Sequence, residues 1–270
     1  MFGDRFNYFS HGTIVASFMD QTHILRSIII PAYSEASCIG SSLKTLRGFL
    51  EENNWLEDTE VIVVTADASD GTVDIVRKEI KQFPVHQHIT PGPRVGKGRD
   101  VKLGLKAAKG ELIIFTDADL ATPVHHITEA FECLSEKGGI VIGVRKLSRI
   151  HNGVVRRVSS VLSNLLVRSV VGWDIVDSQC GFKGFTKPVA QMIVDLSVVT
   201  NWGFDFEFIK IAKINNVTIT MLPIDDWSDP KDQSENLTGD SQWLAMEKTL
   251  KELQLVRVNS RKGAYEADTK

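Results

Sequence analysis

The 270-residue chain has little that would direct it to a membrane, an oxidising compartment or a nucleic acid. No stretch approaches the roughly 18–20 apolar residues that cross a bilayer. The first twenty-one residues do not read as a secretory signal, because Asp4, Arg5 and Asp20 interrupt them and no continuous apolar core is present. Only three cysteines occur: Cys38, Cys133 and Cys180. They are odd in number, far apart and not in metal-ligand spacing, which fits a reducing compartment. A net charge of -3 carries no overall nucleic-acid signature, so no nucleic-acid partner is expected. Internal repeats and low-complexity tracts are lacking too. Together these absences predict a cytoplasmic protein without a transmembrane segment, with any membrane contact peripheral at the inner face.

What is present is a core and a pattern. With 43% hydrophobic and 24% charged residues, the chain can bury a large α/β domain. Apolar runs at Ser27–Ile30, Val61–Val64, 111–116 and Ile140–Val144 read as buried strands, the first ended by Pro31, with a short strand near Val85–Ile89. Helices are expected at about 37–52, 70–83, 99–109, 123–137, 154–171, 187–195, 205–214 and 241–255, with a strand at about 217–224. Continuous apolar strands alternating with helices argue for a mostly parallel sheet covered on both faces. Residues 1–25 read as an N-terminal extension, 26–255 as one domain and 256–270 as a frayed tail. The polar, acidic stretch 225–240 reads as a loop or lid.

In open α/β sheets, ligands bind at the carboxyl ends of the strands. Three segments lie at such ends. Pro31-Ala32-Tyr33-Ser34-Glu35 reads either as a strand-to-helix turn or as the lining of a nucleotide pocket. In Thr65-Ala66-Asp67-Ala68-Ser69-Asp70, Asp70 suits a helix cap and Asp67 is the ligand candidate. Asp117-Ala118-Asp119 follows the buried run Leu112–Phe115, and two carboxylates there need a cation, donors or a proton. A divalent Mg²⁺ or Mn²⁺ with oxygen ligands answers that need, although a helix cap and turn is the bland alternative.

Further constellations lie in loops. Arg94-Val95-Gly96-Lys97-Gly98-Arg99 opens a helix with a glycine-flanked lysine, a good anion site, but lacks P-loop spacing. From Arg145 to Arg168 there are six cations and no acid until Asp174, interleaved with Val158, Val161, Leu162, Leu165 and Leu166. That mixture suits contact with anionic or phosphate-bearing lipid, or simply a solvated face. Asp205 and Glu207 precede a helix, where the dipole alone favours acids; the functional alternative is contact with an acceptor or sugar. His86, His88, His125, His126 and His151 lack paired metal spacing and read as bland.

In this order, Ile30–Glu35, Val63–Thr72, Gly96-Lys97-Gly98, Asp117–Thr122, Gln179-Cys180-Gly181-Phe182-Lys183 and Trp202–Glu207 resemble family-2 glycosyltransferases of the GT-A fold. The nearest subgroup is the dolichyl- or polyprenyl-phosphate glucosyl- and mannosyltransferases. The resemblance spans about residues 26–230. It implies an inverting, metal-dependent hexosyltransferase taking a nucleoside-diphosphate sugar as donor and a polyprenyl phosphate as acceptor. It places Pro31, Tyr33, Glu35, Asp67, Lys97 and Asp117 on the nucleotide-sugar, and Asp117 and Asp119 on a divalent cation. Gln179 and Lys183 fall to the acceptor, and Asp205, Glu207 and Lys97 to catalysis; if the acceptor is a lipid phosphate, Arg156 or Arg157 suits it through bidentate charge-assisted bonds. The family's Asp-Asp-Gly-Ser after the second strand reads Thr65-Ala66-Asp67-Ala68 here, so the base-side acid is absent or displaced to Asp67. Ala121, where mannosyltransferase-like members often carry Gln, looks glucosyltransferase-like.

A lipid phosphate acceptor needs no base, because it is already anionic; a hydroxyl acceptor needs one, for which Asp205 is the candidate. A nucleotidyltransferase would place its basic glycine loop after the first strand, not the third. A non-catalytic binding module remains the alternative from another class.

Overall fold

Strands without a solvent face fix the architecture. In β1 (Arg26–Ala32) every residue after Arg26 is buried, and in β2 (Thr59–Thr65) all seven are. Such strands persist only in the middle of a sheet covered on both sides. A computed structural model of the chain describes residues 24–146, 165–228 and 239–267. The seven-stranded sheet has the order β3-β2-β1-β4-β6-β5-β7, with β3 His86–Ile89, β4 Leu112–Thr116, β5 Ile140–Arg145, β6 Phe182–Thr186 and β7 Ile219–Ile224. Strands β1 to β4 are parallel to one another, as are β5 and β7. Only β6 runs antiparallel, wedged between β4 and β5.

Helices α1 (Ile39–Glu52), α2 (Thr72–Glu79), α3 (Lys97–Ala107), α4 (His126–Lys137), α5 (Lys187–Leu196), α6 (Phe204–Ile214) and α7 (Gly239–Arg261) cover the sheet, and residues 165–171 are also helical. Two apolar clusters result. Ile29, Ile62, Phe115 and Phe185 face α3, α5 and α6. Ile28, Ile30, Val61 and Val63 face α1, α2 and α4.

Three expectations differ from the structure. Pro31 does not end β1 but pairs with Val64; it lies past Ile29, the last β1 residue paired with β4, so its missing N–H breaks no ladder on that side. Residues 182–183, expected at the end of a loop from Asp177, open β6 instead, and the strand can bury Lys183 because the Asp205 carboxylate and the Cys180 carbonyl meet its charge. The tail expected from 256 is helical to Arg261, with Val256 and Tyr265 fully buried. Residues 1–23, the helix start at 154 and most of the 225–240 loop lie outside the described residues.

Candidate active site

The ends of β1, β2 and β4 converge where β1 passes between its two neighbours, the switch point of the sheet. After Thr116 the chain makes a tight turn in which the Leu120 amide donates to the Asp117 carbonyl at 3.1 Å. Leu120 sits at φ 52°, left-handed backbone that costs a non-glycine residue about 1 kcal/mol. The Asp119 carboxylate accepts from the Ala121 amide at 3.1 Å, which fixes its side chain at the rim of the turn.

Asp117 points to Lys97, and the two form an ion pair. Lys97 is the first residue of α3, so its ammonium stands beside the helix N-terminus. Burial alone would lower the Lys97 pKa; attraction from Asp117, Asp205 and Asp119 outweighs it and raises the value. On its other side the Asp117 carboxylate packs directly against the α-carbon of Gly181, where any β-carbon would collide with it. That contact explains the glycine in Gln179–Lys183.

A second ion pair lies beneath. Lys183, fully buried on β6, donates to the Asp205 carboxylate at 2.6 Å and to the Cys180 carbonyl at 2.7 Å. Its ammonium also lies 5.6 Å from the Phe115 ring centroid. Burial pushes the Asp205 carboxyl up against the pull of Lys183 and Lys97. Lys183 was expected at the acceptor; instead it neutralises Asp205 inside the protein, because β6 carries it inward. Asp117, Asp119 and Asp205 thus set three carboxylates against the two ammonium groups of Lys97 and Lys183. The surplus negative charge and hard oxygen donors suit a divalent Mg²⁺ or Mn²⁺ at the Asp117–Asp119 turn, with Asp119 at its rim.

Glu207, two residues on, has a different place. Its fully buried carboxylate accepts from the Val198 and Val199 amides, at 3.0 and 2.9 Å, and from the Tyr265 hydroxyl at 2.7 Å. Burial pushes up both the Glu207 carboxyl and the Tyr265 hydroxyl. Glu207 therefore serves as an anchor for the 197–203 loop rather than as a group facing substrate. That loop in turn seats the basic loop: the Arg99 amide donates to the Thr200 carbonyl at 3.0 Å. Gly98 lies so close to Asn201 and Phe204 that a β-carbon would come within 2.8 Å of both. The same loop carries Trp202, 58% exposed, with its ring 5.6 Å from the Lys97 ammonium. Trp202 escaped the sequence reading as a site residue because one exposed aromatic in a loop has no spacing signal.

At the other flank, the Arg94 guanidinium stacks 4.3 Å above the Tyr33 ring. Asp67 is exposed nearby in sequence to the end of β2, and its amide donates to the Gly92 carbonyl at 2.9 Å, which draws the Asp67 and Arg94 loops together. Asp70 accepts from the Ala36 and Thr72 amides at 3.0 and 3.1 Å, and the Thr72 hydroxyl accepts from the Glu35 amide at 2.8 Å. Asp70 thus ties the Pro31–Glu35 turn to α2; its role is structural, but the cap position expected of it is taken by Gly71, and Asp70 meets the helix's first amide from one residue before the cap. Glu35 takes the Cys38 thiol at 3.3 Å. Thr65, at the position of the family's acid, is buried and hydrogen-bonded to His88 at 2.8 Å.

On the acceptor side, Gln179 is exposed, in a loop held by Asp177. Asp177 receives two bonds from the Arg145 guanidinium, at 2.7 and 3.0 Å. Burial would raise the Asp177 carboxyl, but Arg145 outweighs it and holds it below the usual range. Arg156 and Arg157 lie outside the described residues.

Comparison with known proteins identifies relatives of the chain. A dolichyl-phosphate beta-glucosyltransferase of Trichomonas vaginalis is 25% identical over 234 residues, covering 82% of this chain and 71% of that protein. The human dolichyl-phosphate beta-glucosyltransferase is 26% identical over 254 residues, covering 88% and 76%. Among solved structures, glucosyl-3-phosphoglycerate synthase from Mycobacterium tuberculosis, in complex with Mn²⁺, uridine diphosphate and glucosyl-3-phosphoglycerate, superposes with a TM-score of 0.62 at 16% identity. That match covers 87% of this chain and 80% of the synthase, and it is a likeness of fold, GT-A. The model of glycosyl transferase family 2 matches residues 27–193, well over half of the chain, and the chain belongs to that family of glycosyltransferases.

Proposed function

We propose that the chain transfers a hexose, with inversion and in a divalent-cation-dependent manner, from a nucleoside-diphosphate sugar to a polyprenyl phosphate at a membrane surface. The observation that carries this reading is the charge arrangement at the end of β4. Lys97, braced by Asp117 at the start of α3, offers an ammonium to a leaving diphosphate. Asp119, with Asp117 beside it, would hold the cation, which would neutralise charge on the departing diphosphate. The Tyr33–Arg94 pair and Asp67 line the nucleotide side, with Pro31 and Glu35 shaping the turn.

The burial of Asp205 supports this choice of acceptor. A hydroxyl acceptor requires a base, yet Asp205 is buried and bound to Lys183. An anionic phosphate acceptor requires none, which favours lipid phosphate over a hydroxyl, as do the names of the two dolichyl-phosphate relatives. Ala121 and the uridine diphosphate in the solved neighbour favour UDP-glucose as donor. The test is transfer of labelled glucose from UDP-glucose, against mannose from GDP-mannose, to dolichyl phosphate with and without Mn²⁺. Glucose transfer that needs Mn²⁺ and falls by at least about 10²-fold in Asp119→Ala is expected. Metal-independent transfer, or full activity in Asp119→Ala, overturns the cation assignment; glucose moved only to soluble hydroxyl acceptors overturns the acceptor.

A further inference from the structure

The histidines at the start of α4 are not scattered once the chain is folded. His125 and His126 lie with ring centroids 4.2 Å apart and their planes tilted by 40°, and both turn their Nε2 atoms to the carboxylate of Asp226, just past β7. His126 Nε2 is 2.8 Å from one Asp226 oxygen, and His125 Nε2 is 3.4 Å from the other. Two ligands each about 2.1 Å from a tetrahedral ion stand about 3.4 Å apart, which is the His125–Asp226 separation; the His126–Asp226 contact is a hydrogen bond that opens by about 0.6 Å to admit an ion. On its other nitrogen, Nδ1, His126 is held by Glu129 at 3.3 Å. A ligating histidine commonly has such a carboxylate behind it, which fixes the ring and raises its basicity. The ligand atoms of His125, His126 and Glu129 lie within 4.8 Å of one another; Asp226 is linked to that cluster through its contacts with the two histidines, and neither Asp117 nor Asp119 belongs to it. His126 is buried, whereas His125, Glu129 and Asp226 reach solvent, which leaves a way in and room for water ligands.

We infer that His125, His126 and Asp226, with Glu129 orienting His126, form a binding site for a transition-metal ion of the Zn²⁺ class, distinct from the Asp117–Asp119 turn. Imidazole nitrogens select such an ion over Mg²⁺, which prefers oxygen alone. The ion takes the place of the proton between His126 and Asp226, and binding releases it. The bond from the Ser228 amide to the Ala121 carbonyl, 3.1 Å, already joins the segment after β7 to the loop after Asp119. A bound ion would fasten that junction through the side chains as well.

The experiment is equilibrium dialysis of the chelator-stripped full chain against Zn²⁺ in a large excess of Mg²⁺, with metal analysis and a thermal melt of each variant. Wild type and Asp119→Asn are expected to bind one Zn²⁺ per chain and to melt higher with it. His125→Gln and Asp226→Asn are expected to lose about tenfold or more in Zn²⁺ affinity while melting like wild type without metal. Both of these residues are exposed enough to change without disturbing the core, which buried His126 is not. No Zn²⁺ bound by wild type, unchanged affinity in His125→Gln and Asp226→Asn, or a loss confined to Asp119→Asn would each overturn the site.

Discussion

At Gly181 one missing methyl group sets the position of a carboxylate. Gly181→Ala drives a β-carbon into Asp117, which must swing off Lys97. Because displacement of an active-site group by about 1 Å can cost 10²-fold, glycosyl transfer is expected to fall by about that factor, with a melting temperature lowered by only a few degrees. An active Gly181→Ala enzyme would show that Asp117 has freedom the packing denies it. Asp177 offers a test in pH. Its folded pKa is depressed, so its pairing with Arg145 stabilises the fold above the ordinary value of 3.8 and is lost as pH falls through the depressed one. Asp177→Asn, which leaves Arg145 partly buried and unpaired, is expected to cost about 3 kcal/mol near neutrality. The difference from wild type should shrink as urea titrations are taken below pH 3.8. At this scale the sequence told some acids apart and not others. Asp117 and Asp119 were legible because charges directly follow an apolar strand. Asp205 and Glu207 were not, since both are first-turn acids of one helix and only burial reveals that one balances a lysine and the other anchors a loop.

Between elements, the late acidic motif works through a relay of backbone contacts. Tyr265 donates to Glu207, Glu207 receives the amides of 198 and 199, and the loop that follows seats Gly98 and Arg99 beside Lys97. Tyr265→Phe deletes one donor to a buried carboxylate and is expected to cost about 1–2 kcal/mol. The sign of its pH dependence follows from Glu207, whose folded pKa is raised above 4.5. Such a group favours the fold when protonated, and that contribution is lost as pH rises through the raised value. Removing the hydroxyl donor raises the value further, so the gap between Tyr265→Phe and wild type should widen as pH climbs through and above 4.5. Denaturation at pH 4 and pH 8 checks this; a gap that is the same at both would deny the Tyr265–Glu207 bond its role. The helices and the parallel strands of this relay could be read from periodicity. β6 could not, because Phe182-Lys183-Gly184-Phe185 carries a lysine and a glycine inward, and a strand walled in by β4 and β5 needs no alternation to declare itself.

For the whole molecule, the mostly parallel sheet followed from local signals, whereas the closure of the domain did not. The last fifteen residues look polar and uneven in sequence, with Val256 and Tyr265 as isolated apolar positions, yet both are fully buried against the cluster of α3, α5 and α6. Tertiary contact, invisible to any local window, decides their fate. Asn215 at the end of α6 holds the segment at both ends, donating to the Tyr265 carbonyl at 2.7 Å and accepting from the Ala267 amide at 2.8 Å. A chain stopped after Leu255 therefore loses two buried side chains worth about 2–3 kcal/mol each, and also leaves Glu207 without its tyrosine. A loss of about 5 kcal/mol is a large part of the 5–15 kcal/mol that typically separates folded from unfolded domains. At about 2–4 °C per kcal/mol, the truncated chain should melt about 10–20 °C lower than the full one. A chain stopped after Ala267 keeps every one of these contacts and should melt with the full chain. Equal melting of all three would make residues 256–270 the frayed extension that their composition suggests.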